Sequence, residues 1–195
     1  TRNERLSEFA DVLAHDLRNP LSVAQGYLEL YRTGGDRAAL EHIDAALDRI
    51  DDIIEDIRAT AHAGAANEFV EVSISDIADR AWEAVASETE TLDVRTDLSV
   101  MADPAQLRRV FENLFRNSME HGHDGVTVTV VETAAGFAVD DDGPGVADDE
   151  RAGAFQPGVS GAESGTGLGL YIVRSIAEFH CWTVSLSESP AGGLR

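Results

Sequence analysis

Apolar residues repeat at helical spacing through the first 61 positions. In the second half of this region they fall three and four apart, at Leu40, Ile43, Leu47, Ile50, Ile54 and Ile57. The first half carries a similar row, at Phe9, Leu13, Leu17, Leu21, Ala24, Leu28 and Tyr31. Thr33-Gly34-Gly35-Asp36 separates the rows, with glycines for a turn and Asp36 as an N-cap. A repeat of about 3.5 residues is typical of helical bundles, so we expect a helical hairpin that a second copy completes as a homodimer.

After residue 67 the pattern predicts shorter elements of both kinds. Strands are expected near 69–74, 91–100, 126–131, 136–139 and 182–186, and helices near 75–87, with Ser75 as the cap, 103–120 and 167–180. Their order predicts an α/β sandwich with one mixed or antiparallel sheet and helices on one face. The fold class is therefore α+β, with a dimerising hairpin over 1–62, a linker over 60–67 and the sandwich over 67–195.

One long segment, 146–166, follows neither period. Structureless loops of this length inside a compact domain are uncommon and usually functional, and glycines bracket this one, so we expect a lid. The chain begins at Thr1 and stops at Arg195 just after a Gly-Gly pair. We therefore expect a fragment whose final strand is cut short.

Charge narrows the classes of partner. The chain has 36 acidic and 15 basic residues, and every basic residue is arginine. A net charge of −21 repels nucleic-acid phosphates and anionic membrane surfaces, so we expect neither as a direct ligand. Carboxylates without lysine also suit a high-salt cytoplasm. The first residues lack the charged-then-apolar pattern of a signal segment. The single cysteine, Cys181, fits a reducing compartment and is expected to be a small buried hydrophobe.

His15-Asp16-Leu17-Arg18-Asn19-Pro20 lies on the first predicted helix. With the leucines on the seam, His15 is expected to face solvent, where it can act as a nucleophile if Asp16 takes its proton. Pro20 costs the helix a hydrogen bond, which indicates a bend. A solvated surface histidine is the plainer interpretation of this motif taken alone.

Asn113 and Asn117 lie four residues apart on a predicted helix, so their amide oxygens share a face. Two such oxygens can bind one magnesium ion that keeps most of its waters and leaves room for phosphates. Two hydrated surface amides are the alternative.

Two glycine-rich turns complete the set. Asp141-Asp142-Gly143-Pro144-Gly145 follows a strand, so its backbone can approach a flat ligand while a carboxylate accepts a hydrogen bond from an amine. An ordinary acidic turn is the alternative. Gly165-Thr166-Gly167-Leu168-Gly169-Leu170 opens a helix, where backbone N–H groups suit a phosphate.

The order of these motifs is more specific than any one of them. HDLRNPL, ENLFRNSMEHG, DDDGPGV and GTGLGL follow one another as the H-, N-, G1- and G2-boxes do in the core of sensor histidine kinases, and the chain resembles that family over nearly its whole length. Phe155 resembles the F-box of the lid. The acidic composition suggests a haloarchaeal member. The resemblance implies a phosphotransfer hairpin followed by a Bergerat-type ATP-binding domain.

The resemblance also implies roles for individual residues. His15 would accept the γ-phosphoryl group of ATP, Asp16 would be its base, and Asn19 would orient a water for phosphatase activity. Asn113 and Asn117 would hold Mg2+ and the phosphates. The adenine and lid contacts would come from Asp141, Gly143, Gly145, Gly165, Thr166, Gly167, Leu168 and Gly169. The phosphoryl group would pass to an aspartate of a response regulator receiver domain, in the cytoplasm, with a parent protein that can be membrane-attached.

Several departures leave alternatives open. Glu120 stands where the family often has a phosphate-binding lysine, so Mg2+, His121 or Arg116 would have to compensate. This feature favours a degenerate kinase that binds a nucleotide or a partner and transfers nothing. A gyrase- or chaperone-type ATPase would carry a Glu base at position 113. His121 and His123 form a possible transition-metal pair, against which a solvated turn is the simpler interpretation.

Overall fold

The computed structural model describes residues 2–35, 37–62, 68–87, 89–151, 153–157 and 167–195. The chain forms two compact units, Thr1–Ala59 and Thr60–Arg195. The predicted N-cap Asp36 and most of the predicted linker, 63–67, lie outside the described residues. Within the described part of the chain, no helix combines the length and the apolar character needed to cross a bilayer.

Two long helices make the first unit. They are α1 (Arg2–Gly34) and α2 (Ala38–His62). Tyr27 of α1 stacks on His42 of α2, with ring centroids 4.2 Å apart, and Pro20 is buried inside α1. The predicted hairpin of two helices is therefore present.

Most large residues of the predicted apolar rows that the structure describes are half-buried or exposed. The buried hydrophobic residues of the described hairpin are Ala24, Ala39, Ala46 and Ile53, of which only Ala24 belongs to a predicted row. The buried residues of α2 lie one position before Leu40, Leu47 and Ile54. The exposed residues of the rows include Leu21, Leu28, Tyr31, Leu47 and Ile54, which one chain leaves at least a third open to solvent. The hairpin thus buries one side of its apolar surface and presents the other.

The second unit mixes strands and helices, which confirms the predicted α+β class. Its elements are β1 (Val70–Ser73), α3 (Ile74–Val85), β2 (Thr91–Arg95), β3 (Ser99–Ala102), α4 (Pro104–His121), β4 (Thr127–Thr133), β5 (Gly136–Asp141), α5 (Asp148–Arg151) and α6 (Gly169–Phe179). The strands divide between two sheets where the sequence predicted one. β1 pairs antiparallel with β3, and the other sheet has the order β2-β4-β5, with β2 parallel and β5 antiparallel to β4.

The segment 91–100, predicted as one strand, is two strands in different sheets. Thr91 pairs with Thr127 in the three-stranded sheet, whereas Val100 pairs with Val72 in the other. Between them the Leu98 N–H donates to Thr96 Oγ1 at 3.0 Å and the Leu98 carbonyl accepts from Ile74 N at 2.9 Å. These local bonds turn the chain from one sheet to the next.

The predicted strand at 182–186 forms no ladder. Its side chains alternate between exposed and half-buried, as in a strand, but pairing is limited to the bridge of Glu188 with Leu194. Beside this bridge, Ser187 and Arg195 exchange two backbone hydrogen bonds, at 2.9 and 2.8 Å.

Helix ends follow capping chemistry. Asp103 caps α4, with its Oδ1 accepting from Ala105 N at 2.9 Å, and Pro104 opens the helix as predicted. Ser73, not Ser75, caps α3 through a bond from Asp76 N, because the helix begins two residues earlier than its sequence pattern suggested. The predicted lid segment also contains the short helix α5, which its polar sequence concealed.

Helices α3 and α4 pack with strands of both sheets around one core. Phe111 and Phe115 of α4 are fully buried, with ring centroids 5.6 Å apart. Trp82 of α3 meets Phe115 edge-on at 5.2 Å. The core fixes α4, the element that carries the predicted amides.

Candidate functional site

The predicted phosphoacceptor lies on α1. The backbone at positions 15 and 16 is helical, and the side chains of His15 and Asp16 lie outside the described residues. Asn19 is exposed one turn after His15. The structure therefore places these three predicted catalytic positions on one helical stretch, with Asn19 open to solvent.

The amides of Asn113 and Asn117 converge on the start of α6. A Cβ built on Gly169 would lie 3.1 Å from Asn113 Oδ1 and 3.2 Å from Asn117 Oδ1, so both oxygens point to the same spot. Asn113 is buried and its Nδ2 donates to the Arg109 carbonyl at 2.9 Å. That bond fixes the amide so that Oδ1 is the atom turned towards α6.

The start of α6 has the geometry of an anion site. Gly167 has φ +63°, in the region that favours glycine, and it turns the chain into the helix. The N-cap is Leu168, whose side chain cannot accept hydrogen bonds from the first N–H groups of the helix. Backbone N–H groups in such a position bind phosphate well. Gly165 and Thr166, predicted to take part, lie outside the described residues.

Asp141 lies at the end of β5 and is buried, with both carboxylate oxygens engaged. Oδ1 accepts from Gly143 N at 3.0 Å and from Leu194 N at 2.9 Å. Oδ2 accepts from the hydroxyl of Ser118 at 3.2 Å. Since Ser118 directly follows Asn117, α4 touches both glycine-rich turns and joins them into one site.

The chain from Ser189 to Leu194 backs the Asp141 turn, which the sequence did not predict. Ser189 Oγ donates to the Asp141 carbonyl at 2.6 Å. Gly193 lies so close that a Cβ there would clash with Asp141 Oδ1 and with the Asp141 carbonyl oxygen. Gly145 has φ +70° and faces the carbonyls of Gly192 and Gly193 at 3.3 Å from its built Cβ position. The Gly-Gly pair was the only sequence signal for this close approach.

The C-terminal end of α4 is open. Glu120 and His121 are both exposed, so the polar groups of both side chains stay hydrated. His123 lies 3.5 Å from Asp142 through Nε2. The Asp124 carbonyl, with a smaller effect of Asp142, raises the pKa of His123 above its ordinary value. Among the residues described, no cluster of three or more His, Cys, Asp or Glu is arranged to hold a metal ion.

His180 and Cys181 follow α6. His180 is buried; its Nδ1 donates to the Ile176 carbonyl at 2.8 Å, and its Nε2 accepts from Asp103 N at 3.1 Å, which requires the neutral ring. Cys181 is exposed, so the prediction that it is buried is wrong. It has φ +57°, because it takes the left-handed position at the end of the helix, and that conformation turns its side chain outward.

Two family models match the chain. Residues 5–66 match the His Kinase A (phospho-acceptor) domain. Residues 102–195 match the histidine kinase-, DNA gyrase B- and HSP90-like ATPase family.

Relatives and solved structures agree with these matches. The sensor histidine kinase CpxA of Escherichia coli K12 is 31% identical over 94% of this chain and 44% of its own length. The crystal structure of the ATP-binding domain of PrrB from Mycobacterium tuberculosis is 32% identical, with a TM-score of 0.54, over 66% of this chain and 93% of that one. Histidine kinase ThkA, in complex with response regulator TrrA, shares the fold at 20% identity, with a TM-score of 0.72, over 98% of this chain and 61% of that one. The chain spans less than half the length of CpxA.

Proposed function

The chain belongs to the sensor histidine kinases, and from that membership we propose that it uses ATP to phosphorylate His15 and then passes the phosphoryl group to an aspartate of a response regulator. The 94% of the chain that aligns with CpxA runs through both matched domains. We assign residues 1–62 to dimerisation and phosphotransfer, and 67–195 to ATP binding.

One observation carries the nucleotide-binding part of this proposal. Helix α4 presents Asn113 and Asn117 to the start of α6, and one residue later it presents Ser118 to Asp141. An amide pair beside an anion-binding helix end suits a triphosphate, and a buried carboxylate beside glycines suits an adenine amine. A single rigid helix therefore holds the two halves of a nucleotide site.

The roles in phosphoryl transfer follow from chemistry and position. A ring nitrogen of His15 bonds to the γ-phosphorus as the bond from that phosphorus to the ADP oxygen breaks. Asp16 takes the ring proton. Asn19, exposed one turn away, orients the water that hydrolyses a phosphorylated partner. Transfer of this kind depends on positioning and charge neutralisation more than on covalent help.

Asn113 and Asn117 fit a magnesium ion by chemistry and arrangement. Both Oδ1 atoms point to the spot above Gly169, and neutral amide oxygens are hard donors. Magnesium, when bound with ATP, neutralises phosphate charge. His121 and the backbone of Gly165, Thr166 and Gly167–Gly169 add contacts to the phosphates. The exposed Glu120 repels them weakly because salt screens its charge.

The Asp141 carboxylate accepts a hydrogen bond from the adenine amine, and Gly143 and Gly145 lie beside the ring. Asp141 is held by three hydrogen bonds to its carboxylate, so it presents a fixed acceptor. Fixed acceptors lose less entropy on binding than mobile ones.

A second copy of the chain covers the exposed apolar side chains of the hairpin. Leu21, Leu28, Leu47 and Ile54 all belong to the two heptad-like rows, and one chain leaves them open. Apolar rows on two helices are buried when four helices pack together. The receiver domain of the response regulator then docks near His15 on this homodimer.

The composition supports a halophilic, haloarchaeal origin, and the single cysteine supports a cytoplasmic location, with a parent protein that can be membrane-attached. With 36 acidic residues, 15 arginines and no lysine, the surface stays hydrated at high salt and repels itself at low salt. Unfolding followed against KCl concentration tests the first point, since stability should rise with salt. Fractionation of cells that express the full-length protein tests the location.

The decisive experiment is incubation with γ-labelled ATP and Mg2+ in multimolar KCl. Wild type is compared with His15→Gln and with the control His42→Gln, which alters an exposed histidine on the other helix of the same hairpin. We expect acid-labile, base-stable label on wild type and on the control, and a loss of at least about 100-fold in His15→Gln. Equal labelling of all three proteins would exclude His15 as the acceptor. If wild type binds nucleotide but carries no label, the chain is a degenerate kinase that does not transfer the phosphoryl group.

A further inference from the structure

Ser118 lies where the two halves of the nucleotide site meet, and no motif singled it out. It is buried in α4, and its hydroxyl lies 3.2 Å from Asp141 Oδ2 and 3.1 Å from the Leu114 carbonyl. A hydroxyl has one proton and can donate to only one of these acceptors at a time. The carboxylate is charged and therefore the stronger acceptor.

The two oxygens of Asp141 are not equivalent. Oδ1 already accepts two backbone N–H groups, from Gly143 and Leu194. Oδ2 accepts only from Ser118 among the described residues, so it keeps lone-pair capacity for a further donor. Oδ2 is thus the oxygen available to an amine.

We propose that Ser118 is a positioning residue that sets the specificity of this site for 6-aminopurines. Its hydroxyl donates to the Oδ2 atom of Asp141 and fixes it, and the same oxygen accepts a second hydrogen bond from the ligand amine. This inference rests on the proposed binding of adenine by Asp141. It adds that selectivity depends on the residue after Asn117.

The test is binding of ATP and of purine riboside triphosphate, which lacks the 6-amino group, to the full chain in multimolar KCl. Wild type is compared with Ser118→Ala, with Ser118→Thr, and with the control Ser175→Ala. Ser175 of α6 is matched because its hydroxyl donates to the Tyr171 carbonyl at 2.9 Å, four residues earlier, as Ser118 can to Leu114. The control thus loses the same helical bond at a position where, among the residues described, the hydroxyl is bonded to no carboxylate.

We expect Ser118→Ala to weaken ATP binding about fivefold and to leave binding of the analogue within about twofold. The preference for ATP therefore falls, whereas Ser118→Thr and Ser175→Ala retain it. Alanine is a strong helix former, so all helices should survive, and thermal unfolding checks this.

The outcomes separate the inference from the function on which it rests. If wild type prefers ATP and Ser118→Ala keeps the full preference, the role of Ser118 is overturned while adenine binding stands. If Ser118→Ala weakens both ligands equally, Ser118 is structural only, and the inference is again wrong. If wild type binds both ligands equally, the assignment of Asp141 fails first and the inference fails with it.

Discussion

The two units of the chain bury their apolar side chains in opposite ways. In the ATP-binding unit large side chains such as Phe111 and Phe115 are fully buried, and few large apolar residues, among them Phe69 and Met101, are exposed. In the hairpin, alanines such as Ala24 and Ala46 are buried, and leucines such as Leu28 remain open. The second unit thus has a core of large side chains within one chain, whereas the described part of the hairpin leaves several of its large apolar side chains open, as the proposed homodimer requires.

This difference indicates where each unit obtains its stability. A core closed within one chain is stable at any concentration. A core shared between copies is stable only as an assembly, so its stability depends on protein concentration. Both tryptophans, Trp82 and Trp182, lie in the second unit, and their fluorescence reports that unit separately.

The largest effect is expected from Phe115→Ala. Phe115 is fully buried between Trp82 and Phe111, so its removal leaves a cavity and should lower the free energy of unfolding by about 3–5 kcal/mol. Tryptophan fluorescence during urea unfolding measures the loss. Phe69→Ala, the same change at a ring that is 39% exposed, should cost less than half as much. Equal losses would mean that the core is not closed around α4.

A smaller effect, on the hairpin alone, is expected from Leu28→Glu. An uncompensated carboxylate in an apolar interface should raise the dimer dissociation constant at least about 100-fold. Sedimentation velocity in multimolar KCl measures the dissociation constant. The midpoint of unfolding of the second unit, followed by tryptophan fluorescence, should not change. Leu30→Glu is the matched control, because Leu30 is 58% exposed and lies off the predicted rows. Dissociation by both variants, or by neither, would contradict the proposed interface.

The smallest effect is expected on the pH dependence of the stability of the second unit, to which His123 contributes. The Asp124 carbonyl and Asp142 raise the pKa of His123 in the folded state. Protonated His123 therefore stabilises the folded state. This contribution is complete below the unfolded pKa near 6.5 and is lost as pH rises through the higher folded pKa. Thermal unfolding should show a slightly lower midpoint at about pH 8.5 than at about pH 6. His123→Ala should remove that difference, and a difference that persists must arise from another group.

The sequence predicted best what local chemistry determines. Asp103-Pro104 marked the start of α4, and alternating Thr and Val residues marked β4, because capping and side-chain alternation act over a few residues. The motifs also identified the amides and the acidic turn of the candidate site. The two apolar rows of the first 61 residues predicted the helical hairpin, but they did not predict which of its residues are buried within one chain.

The features of the fold and of the site that the sequence did not predict depend on contacts between residues far apart in the chain. The segment 91–100 is apolar enough for one strand, and only its partners, β4 and β1, divide it between two sheets. Ser118 meets Asp141 across 23 positions, and Leu194 meets it across 53. No periodicity encodes such pairings. Cys181 was mispredicted because its exposure follows from a left-handed backbone that only the packed helix end requires.

Helix α4 also fixes the distance between the two parts of the candidate site. Asn113 and Ser118 are five residues apart, so a rise of about 1.5 Å per residue would separate the proposed phosphate and base contacts by about 7.5 Å along the helix. Because the base end is the same for ATP and for its product ADP, both nucleotides retain that part of the binding energy. Under the proposed function, ADP would therefore compete with ATP, and occupancy of the site would follow the ratio of the two nucleotides. Phosphorylation of His15 would then depend on that ratio as well as on protein concentration.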